Sequence, residues 1–339
     1  MADSLTTHIR RMLRNSMIKI LFVVYGFILL IGLFSLLLTN HNSIIIQIVL
    51  LMVFFLYLFV LLRLFEKHPE SITISLVGFP KSGKTVFITV FFYEFIQQKF
   101  NLLKFRSYGE ETTEEITTNY TKLERGEWLD PTKPYVVYQY RGIALLNTSP
   151  FSSQEYKILI EDFAGEFTNS FKDKEINPAW LHKSPYFKNI STSDIILIAI
   201  DCNDIHELYT IKDNELNGKI REKINDLESI FINALNRIIE DTDVKISKKL
   251  KTPVALVFMK FDLLYDLFEK NNNENAYSRS KDMANSPYKT LIKYCEENCS
   301  NFEIFYVSSV GHVTEDGKPL RTIVPYHIVD PIIWGLTKI

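Results

Sequence analysis

The chain has 339 residues, 47% of them apolar, with Lys+Arg 38 against Asp+Glu 40 and a formal net charge of −2. That length admits two domains or one large one, and the near balance of charge excludes the basic surplus expected of a nucleic-acid binder. Three cysteines, Cys202, Cys295 and Cys299, are too few and odd in number for a disulfide framework and suit a reducing compartment.

Residues 1–19 are polar and basic, with Arg10, Arg11, Arg14 and Lys19 against Asp3. Ile20–Leu38 then runs without a charge, and so does Ile44–Leu62, where Gln47 is the one strong polar group. At 1.5 Å per residue each run covers roughly 28 Å, close to the hydrocarbon thickness of a bilayer. Joined by Thr39–Ser43, they read as a transmembrane helical hairpin. Two buried helices of a soluble core are the rival, but such helices rarely go so long uncharged. A cleaved signal peptide would be shorter and would end in small residues. The arginines place the N-terminus in the cytoplasm, and the second crossing returns the chain there, with Arg63, Lys67 and His68 at the exit. The expected division is 1–66, a basic N-terminus and two spans, and 67–339, a domain close to the bilayer surface.

Ser71–Val77 is an alternating β-branched run that enters GFPKSGKT, residues Gly78–Thr85, and VFITVFFYEFIQQ follows as a buried helix. The loop fits G-x-x-x-x-G-K-[ST] at every fixed position, and strand, loop, helix is the context that confirms it. Gly78 and Gly83 let the backbone curl, so that Phe79, Pro80, Lys81 and Ser82 wrap an anion. The helix N-terminus adds partial positive charge. Lys84 would reach the β- and γ-phosphates, and the Thr85 hydroxyl would ligate a magnesium ion. A chance glycine-rich turn is the alternative, and the preceding strand argues against it.

Further on, Glu110–Arg125 reads as a helix with Ile116, Tyr120 and Leu123 on one face, broken by Gly126, Pro131 and Pro134. Tyr135–Leu146 and Tyr156–Glu161 read as an antiparallel hairpin across the turn residues NTSPFSSQ. A buried strand ends at Asp201, one long helix is expected over Ile205–Asp241, and Lys245–Lys251 is a basic connector. Pro253–Met259 is another buried strand, and polar residues 270–282 read as an exposed loop. Tyr288–Cys299 is helical, Phe302–Val307 is the last strand, and His327–Leu336 is a closing helix. Cys295 and Cys299 stand four apart on that expected helix, but no His or Cys pair nearby completes a metal site, so they read as ordinary thiols. Strands alternating with helices imply an α/β, doubly wound sheet, with ligand groups at the carboxyl ends of the strands.

The candidate site loops fall at those ends. Asp162 closes a strand and would hold magnesium directly or through water, and Gly165, lacking a Cβ, lets its N–H approach a γ-phosphate. Asp262 in Lys260-Phe-Asp262 would accept from N1–H and N2–H₂ of guanine, with the Lys260 stem along the ring. Backbone amides of Ser308 and Ser309 would meet the guanine carbonyl oxygen. Singly these are weak signals, each matched by an ordinary turn with a capping aspartate. In order, they resemble the GTPases of the translation-factor and small-GTPase class (the TRAFAC P-loop class). GFPKSGKT is similar to their phosphate loop, DFAG to their second switch, MKFD to their N-K-x-D and VSSVG to their S-A-K loop, over about residues 71–311.

Membrane attachment just before the phosphate loop resembles the beta subunit of the signal recognition particle receptor. ERGEWLDPT and VDPIIWGL resemble bacterial GTPases of conflict and defence systems. The resemblance implies GTP and GDP as ligands, Mg²⁺, slow hydrolysis as a molecular switch, and a multi-pass protein of a bacterial inner membrane with the GTPase domain and both termini cytoplasmic. It also implies a protein effector or activating partner, including a second copy of the chain.

The chain departs from that pattern in two places: Met259 stands for the usual Asn, and Glu166 for the glutamine that positions attacking water. The first-switch threonine is Thr132 on this reading, with Thr117 and Thr118 as rivals. Arg125 and Arg141 are the arginines without a placed role. A P-loop ATPase would carry a Glu directly after the strand-end Asp. Phe163 follows Asp162, Cys202 follows Asp201, and Glu161 would point to the opposite side of its strand. A membrane-tethered scaffold that binds nucleotide without turnover is the third reading.

Overall fold

The computed structural model describes Gly26, Met52 and residues 70–97, 99, 103–107, 110–131, 137–149, 152–163, 185–241, 249–269, 275–314 and 318–339. The chain divides between His68 and Pro69, and every described residue but Gly26 and Met52 belongs to the second unit. No helix among the described residues is long and apolar enough to cross a membrane. The expected spans Ile20–Leu38 and Ile44–Leu62 lie, Gly26 and Met52 apart, outside the described residues.

Strands β5 (Ile195–Asp201) and β6 (Val254–Met259) are apolar almost throughout, and their neighbour β1 (Glu70–Gly78) alternates Ser and Thr with Ile and Leu. A strand covered on both faces needs no polar alternation, and successive side chains of these three serve two different cores. Leu76, Leu197, Ala199 and Val257 enter the one beneath α1 (Lys84–Ile96). Val77, Ile198, Ile200 and Leu256 enter the other, against α5 (Asn214–Asp241). Helix α1 is apolar nearly all round, with Phe87, Phe91, Phe92 and Phe95 fully buried. It can be so because α2 (Glu110–Glu124) covers its outer side with Ile116, Tyr120 and Leu123, the face the spacing predicts. Helix α5 shows one stripe instead: Ile220, Ile224, Leu227, Phe231, Leu235 and Ile238 recur at helical spacing and are all buried.

The remaining strands are β2 (Leu103–Ser107), β3 (Val137–Ser149), β4 (Ser152–Phe163) and β7 (Phe302–Val307). The seven-stranded sheet has the order β2-β3-β4-β1-β5-β6-β7. It is parallel from β4 to β7 and antiparallel across β2, β3 and β4, so it is mixed rather than doubly wound throughout. The hairpin β3–β4 is the one expected from the turn residues. After β1 the chain builds one side of the sheet, and from β5 it builds the other. The crevice outside the carboxyl end of β1, between its neighbours β4 and β5, is the switch point where such sheets bind ligands.

Three expectations need correction. The long helix over Ile205–Asp241 is two helices, α4 (Cys202–Thr210) and α5. Asp213 starts the second, its Oδ1 accepting from the backbone N of Glu215 (2.8 Å) and Leu216 (3.2 Å), a competing bond that a helix interior does not offer. Residues 270–282 are not a loop throughout, because helix α7 begins at Ala276, after α6 (Asp262–Glu269). Ala276, Ser280 and Ala284 bury a small-residue stripe there, and Ser280 Oγ donates to Ala276 O and Leu264 O. The closing helix α9 starts at Asp330 and not at His327. Before it come α3 (Pro185–Ser191), a 3₁₀ turn at Ser286–Tyr288 and α8 (Lys289–Asn298).

Candidate functional site

At the carboxyl end of β1 the two glycines of the loop have different reasons to be glycine. A Cβ on Gly78 would stand 2.7 Å from Ala199 O of β5, so the close approach of two parallel strands excludes a side chain. Gly83 has φ +90° and caps α1, with Phe87 N bonded to Gly83 O at 2.9 Å as the first turn of helix. Lys81 also adopts a left-handed φ of 66°. Inside the loop, Lys84 is buried, and its Nζ donates to Gly78 O (2.8 Å), Phe79 O (3.0 Å) and Ser82 Oγ (3.5 Å). These contacts hold the ammonium at the centre of the curl, where a phosphate oxygen would meet it.

The next residue reaches across the sheet. Thr85 Oγ1 donates to Asp162 Oδ2 at 2.7 Å, and Asp162, fully buried, sits at the end of β4 in register with Leu76 of β1. A hydroxyl from the first turn of α1 and a carboxylate from the end of β4 are hard oxygen donors, the set that suits a magnesium ion. The preceding Glu161 turns the other way, as strand alternation requires. Its Oε1 accepts from Gln139 Nε2 (3.0 Å) and Asn189 Nδ2 of α3 (3.4 Å), and burial pushes its carboxyl up. It is therefore not an ATPase-type base beside Asp162.

At the end of β6 the structure departs from the expectation. Met259 is buried and offers no amide, and Lys260, at φ 57°, ties the two loops together instead. Its Nζ donates to Lys81 O (2.8 Å) and to Asp201 Oδ2 (2.8 Å), while its Cε lies 3.8 Å from where a Cβ of Gly83 would stand. Asp201 also caps α4 by accepting from Asn203 N at 2.9 Å. Burial pushes Asp201 up, and the Lys260 ammonium pulls it back. Asp262 opens α6; burial raises its carboxyl, and a hydrogen bond from the Ser308 hydroxyl opposes the rise. Ser308 N donates to Tyr326 O (3.1 Å), so its amide is already committed and cannot also serve the guanine carbonyl. What Ser308 contributes is its hydroxyl, which accepts from Gly311 N at 3.0 Å and positions Asp262.

The structure thus brings Lys84, Thr85 and Asp162 together at one end of β1, with Lys260 linking them to the loop of Asp262 and Ser308. Thr132, Gly165 and Glu166 lie outside the described residues. The rival threonines Thr117 and Thr118 are exposed on α2, where Thr117 Oγ1 donates to Thr113 O at 2.8 Å. Arg141 is exposed on β3 and donates to Gln139 Oε1. All three cysteines are buried and unpaired with one another as disulfides. One contributor, Asp201, was not singled out from the sequence. Asp201 was legible as an apolar strand ending in a capping residue. Phe79, expected in the loop that wraps the anion, also packs edge-on against Phe231 of α5 at 5.7 Å.

The family model described as Double-GTPase 2 matches residues 72–321. Among solved structures the chain is similar to the Arl6 BBS3 small GTPase from Trypanosoma brucei with bound nucleotide analogue GppNp, at 10% identity and a TM-score of 0.35, covering 79% of this chain and 96% of that one. No curated protein matches the chain.

Proposed function

This chain belongs to the Double-GTPase 2 family, and from that premise we propose that it is a membrane-anchored GTP switch, hydrolysing slowly until a partner completes its site. The observation that carries the reading is the convergence of Lys84, Thr85 and Asp162, with the Thr85 hydroxyl 2.7 Å from the carboxylate. In this reading the amides of the 78–85 loop and the α1 terminus wrap the phosphates, and Lys84 contacts the β/γ-phosphate oxygens. Thr85 and Asp162 hold magnesium, which when bound neutralises charge developing on the phosphates. Asp262 accepts from the guanine edge, with Ser309 left as the amide for the guanine carbonyl. Gly165 lets the backbone approach the γ-phosphate, and Thr132 closes the first switch.

Glu166 sets the rate. An ionised carboxylate accepts from the attacking water but cannot donate to the γ-phosphate, and it brings negative charge towards negative charge. Unassisted turnover is then expected on the order of 10⁻⁴ to 10⁻³ s⁻¹. Single-turnover assays on the full chain in detergent should show Glu166→Gln binding GTP as before and hydrolysing it faster. Wild-type hydrolysis at several turnovers per second, slowed by Glu166→Gln, would make Glu166 a working base and end the partner-dependent reading.

The bilayer part of the proposal rests on the uncharged runs Ile20–Leu38 and Ile44–Leu62 behind a basic N-terminus. Domains 1–66 and 67–339 would then be anchor and switch, in a bacterial inner membrane, with Thr39–Ser43 outside and both termini in the cytoplasm. A cysteine placed at Asn40 should react with an impermeant maleimide on intact cells, and one placed at the C-terminus should not. Labelling in the reverse pattern contradicts the topology.

A further inference from the structure

A cavity of about 290 Å³ is walled in part by residues 79–82 of the phosphate loop. Phe79, Ile200, Leu227 and Phe231 give it apolar surface, and Asp201, Asp204, Glu207, Lys223 and Lys260 give it charge. It shares Phe79, Pro80, Lys81 and Ser82 with the phosphate loop and Lys260 with the loop after β6, so it adjoins the nucleotide positions, but Lys84, Thr85, Asp162 and Asp262 do not line it. Its volume is near the lower end for small-molecule sites and suits one compact ring system.

Tyr288 lines this cavity. Its side chain is fully buried, and its hydroxyl has no hydrogen-bond partner among the described residues. A buried hydroxyl left unpaired is unfavourable, and native structures keep few of them. The surrounding charges say what would pair with it. Lys223 Nζ is held by Asp204 Oδ1 (2.6 Å) and Lys260 Nζ by Asp201 Oδ2 (2.8 Å). Glu207 Oε1 accepts from the Asn203 amide at 2.8 Å, and no lysine among the described residues forms an ion pair with it. Lys81 borders the cavity from an exposed position, where solvent screens it. Burial, then Asp204, push the Tyr288 phenol well above its usual value, so the hydroxyl stays neutral in negative surroundings. Its oxygen is best matched by an incoming N–H.

We propose that this cavity is a second ligand site, for a small flat molecule with an apolar ring and an amidine- or guanidine-like edge whose N–H donates to the Tyr288 hydroxyl. Because Phe79, Pro80, Lys81 and Ser82 form one wall, an occupant braces the phosphate loop and the Lys260 tie, and nucleotide release slows. That coupling rests on the GTP reading, whereas the site itself does not.

The test uses 2-aminobenzimidazole as probe on the full chain in detergent, followed by calorimetry and ligand-observed NMR. Saturable binding with Kd on the order of 1 mM is expected for a fragment. Tyr288→Phe should weaken it roughly tenfold, the loss of one hydrogen bond. The same change should raise Tm by about a few degrees, because the unpaired hydroxyl is gone. Leu227→Trp should fill the cavity and abolish probe binding, with nucleotide binding retained as the sign that the domain is folded. Absence of saturable binding, or equal affinity in wild type and both variants, overturns the site. Probe binding that leaves the release rate of a fluorescent GDP unchanged overturns the coupling.

Discussion

Lys84→Ala is expected to abolish tight binding of GTP and GDP to this chain. The wild-type ammonium is buried and held by Gly78 O and Phe79 O at 2.8 and 3.0 Å, so it is already placed inside the curl that would receive the phosphates. Its contacts with phosphate oxygens would be charge-assisted and largely shielded from water. Removing one partner of such a pair costs about 3–5 kcal/mol, which is roughly 10²- to 4 × 10³-fold in affinity. Fluorescent-GDP titration reads the loss, and a thermal melt of the same variant separates loss of the site from loss of the fold. Wild-type affinity in Lys84→Ala would mean that the loop is a structural turn.

Asp262→Asn is expected to change which base is bound. An ionised carboxylate accepts two N–H groups from guanine, whereas an amide offers one donor edge that suits the C2 carbonyl of xanthine. A site that leaves buried polar groups unpaired with the wrong base discriminates strongly, here by on the order of 100-fold or more. GTP should therefore weaken and xanthosine triphosphate improve in the variant, both read by competition against a fluorescent nucleotide. The Ser308 hydroxyl that supports Asp262 can also donate to an asparagine, so the exchange keeps the local frame. Burial raises the Asp262 carboxyl, so on acidification it is neutralised sooner than an exposed aspartate, and the guanine preference should weaken with it. A variant with unaltered base preference would remove Asp262 from the site.

The parts of the fold that were legible are those in which local pattern and tertiary role coincide. The apolar runs ending at Asp201 and Met259 are buried on both faces, and nothing else explains such runs of that length. The hairpin of β3 and β4 announced itself by its turn residues. Edge strand β2 did not: LKFRS is short and charged, and it becomes a strand through its antiparallel ladder with β3. The break between α4 and α5 rests on one side-chain cap at Asp213, which periodicity over the whole segment hides. Helix α7 has a polar sequence because small residues suffice for its buried stripe.

For the site, residue types point to particular loops but not to their wiring. K-x-D marks the loop after β6, yet the sequence does not show that Lys260 takes over the tie to Lys81 O which Met259 cannot make. Nor does it show that the Ser308 amide is held by Tyr326 O, because that bond depends on a segment eighteen residues away folding back as an isolated bridge. Such contacts are decided by tertiary geometry and leave no mark on a motif.

The central claim, a guanine-selective nucleotide site built on Lys84, Thr85, Asp162 and Asp262, is tested most directly by competition on the wild-type full chain. GTP and ATP would each be titrated, with magnesium, against bound fluorescent GDP. The account predicts displacement by GTP at a concentration on the order of 100-fold or more below that needed of ATP. Equal displacement by the two would contradict it and favour the ATPase.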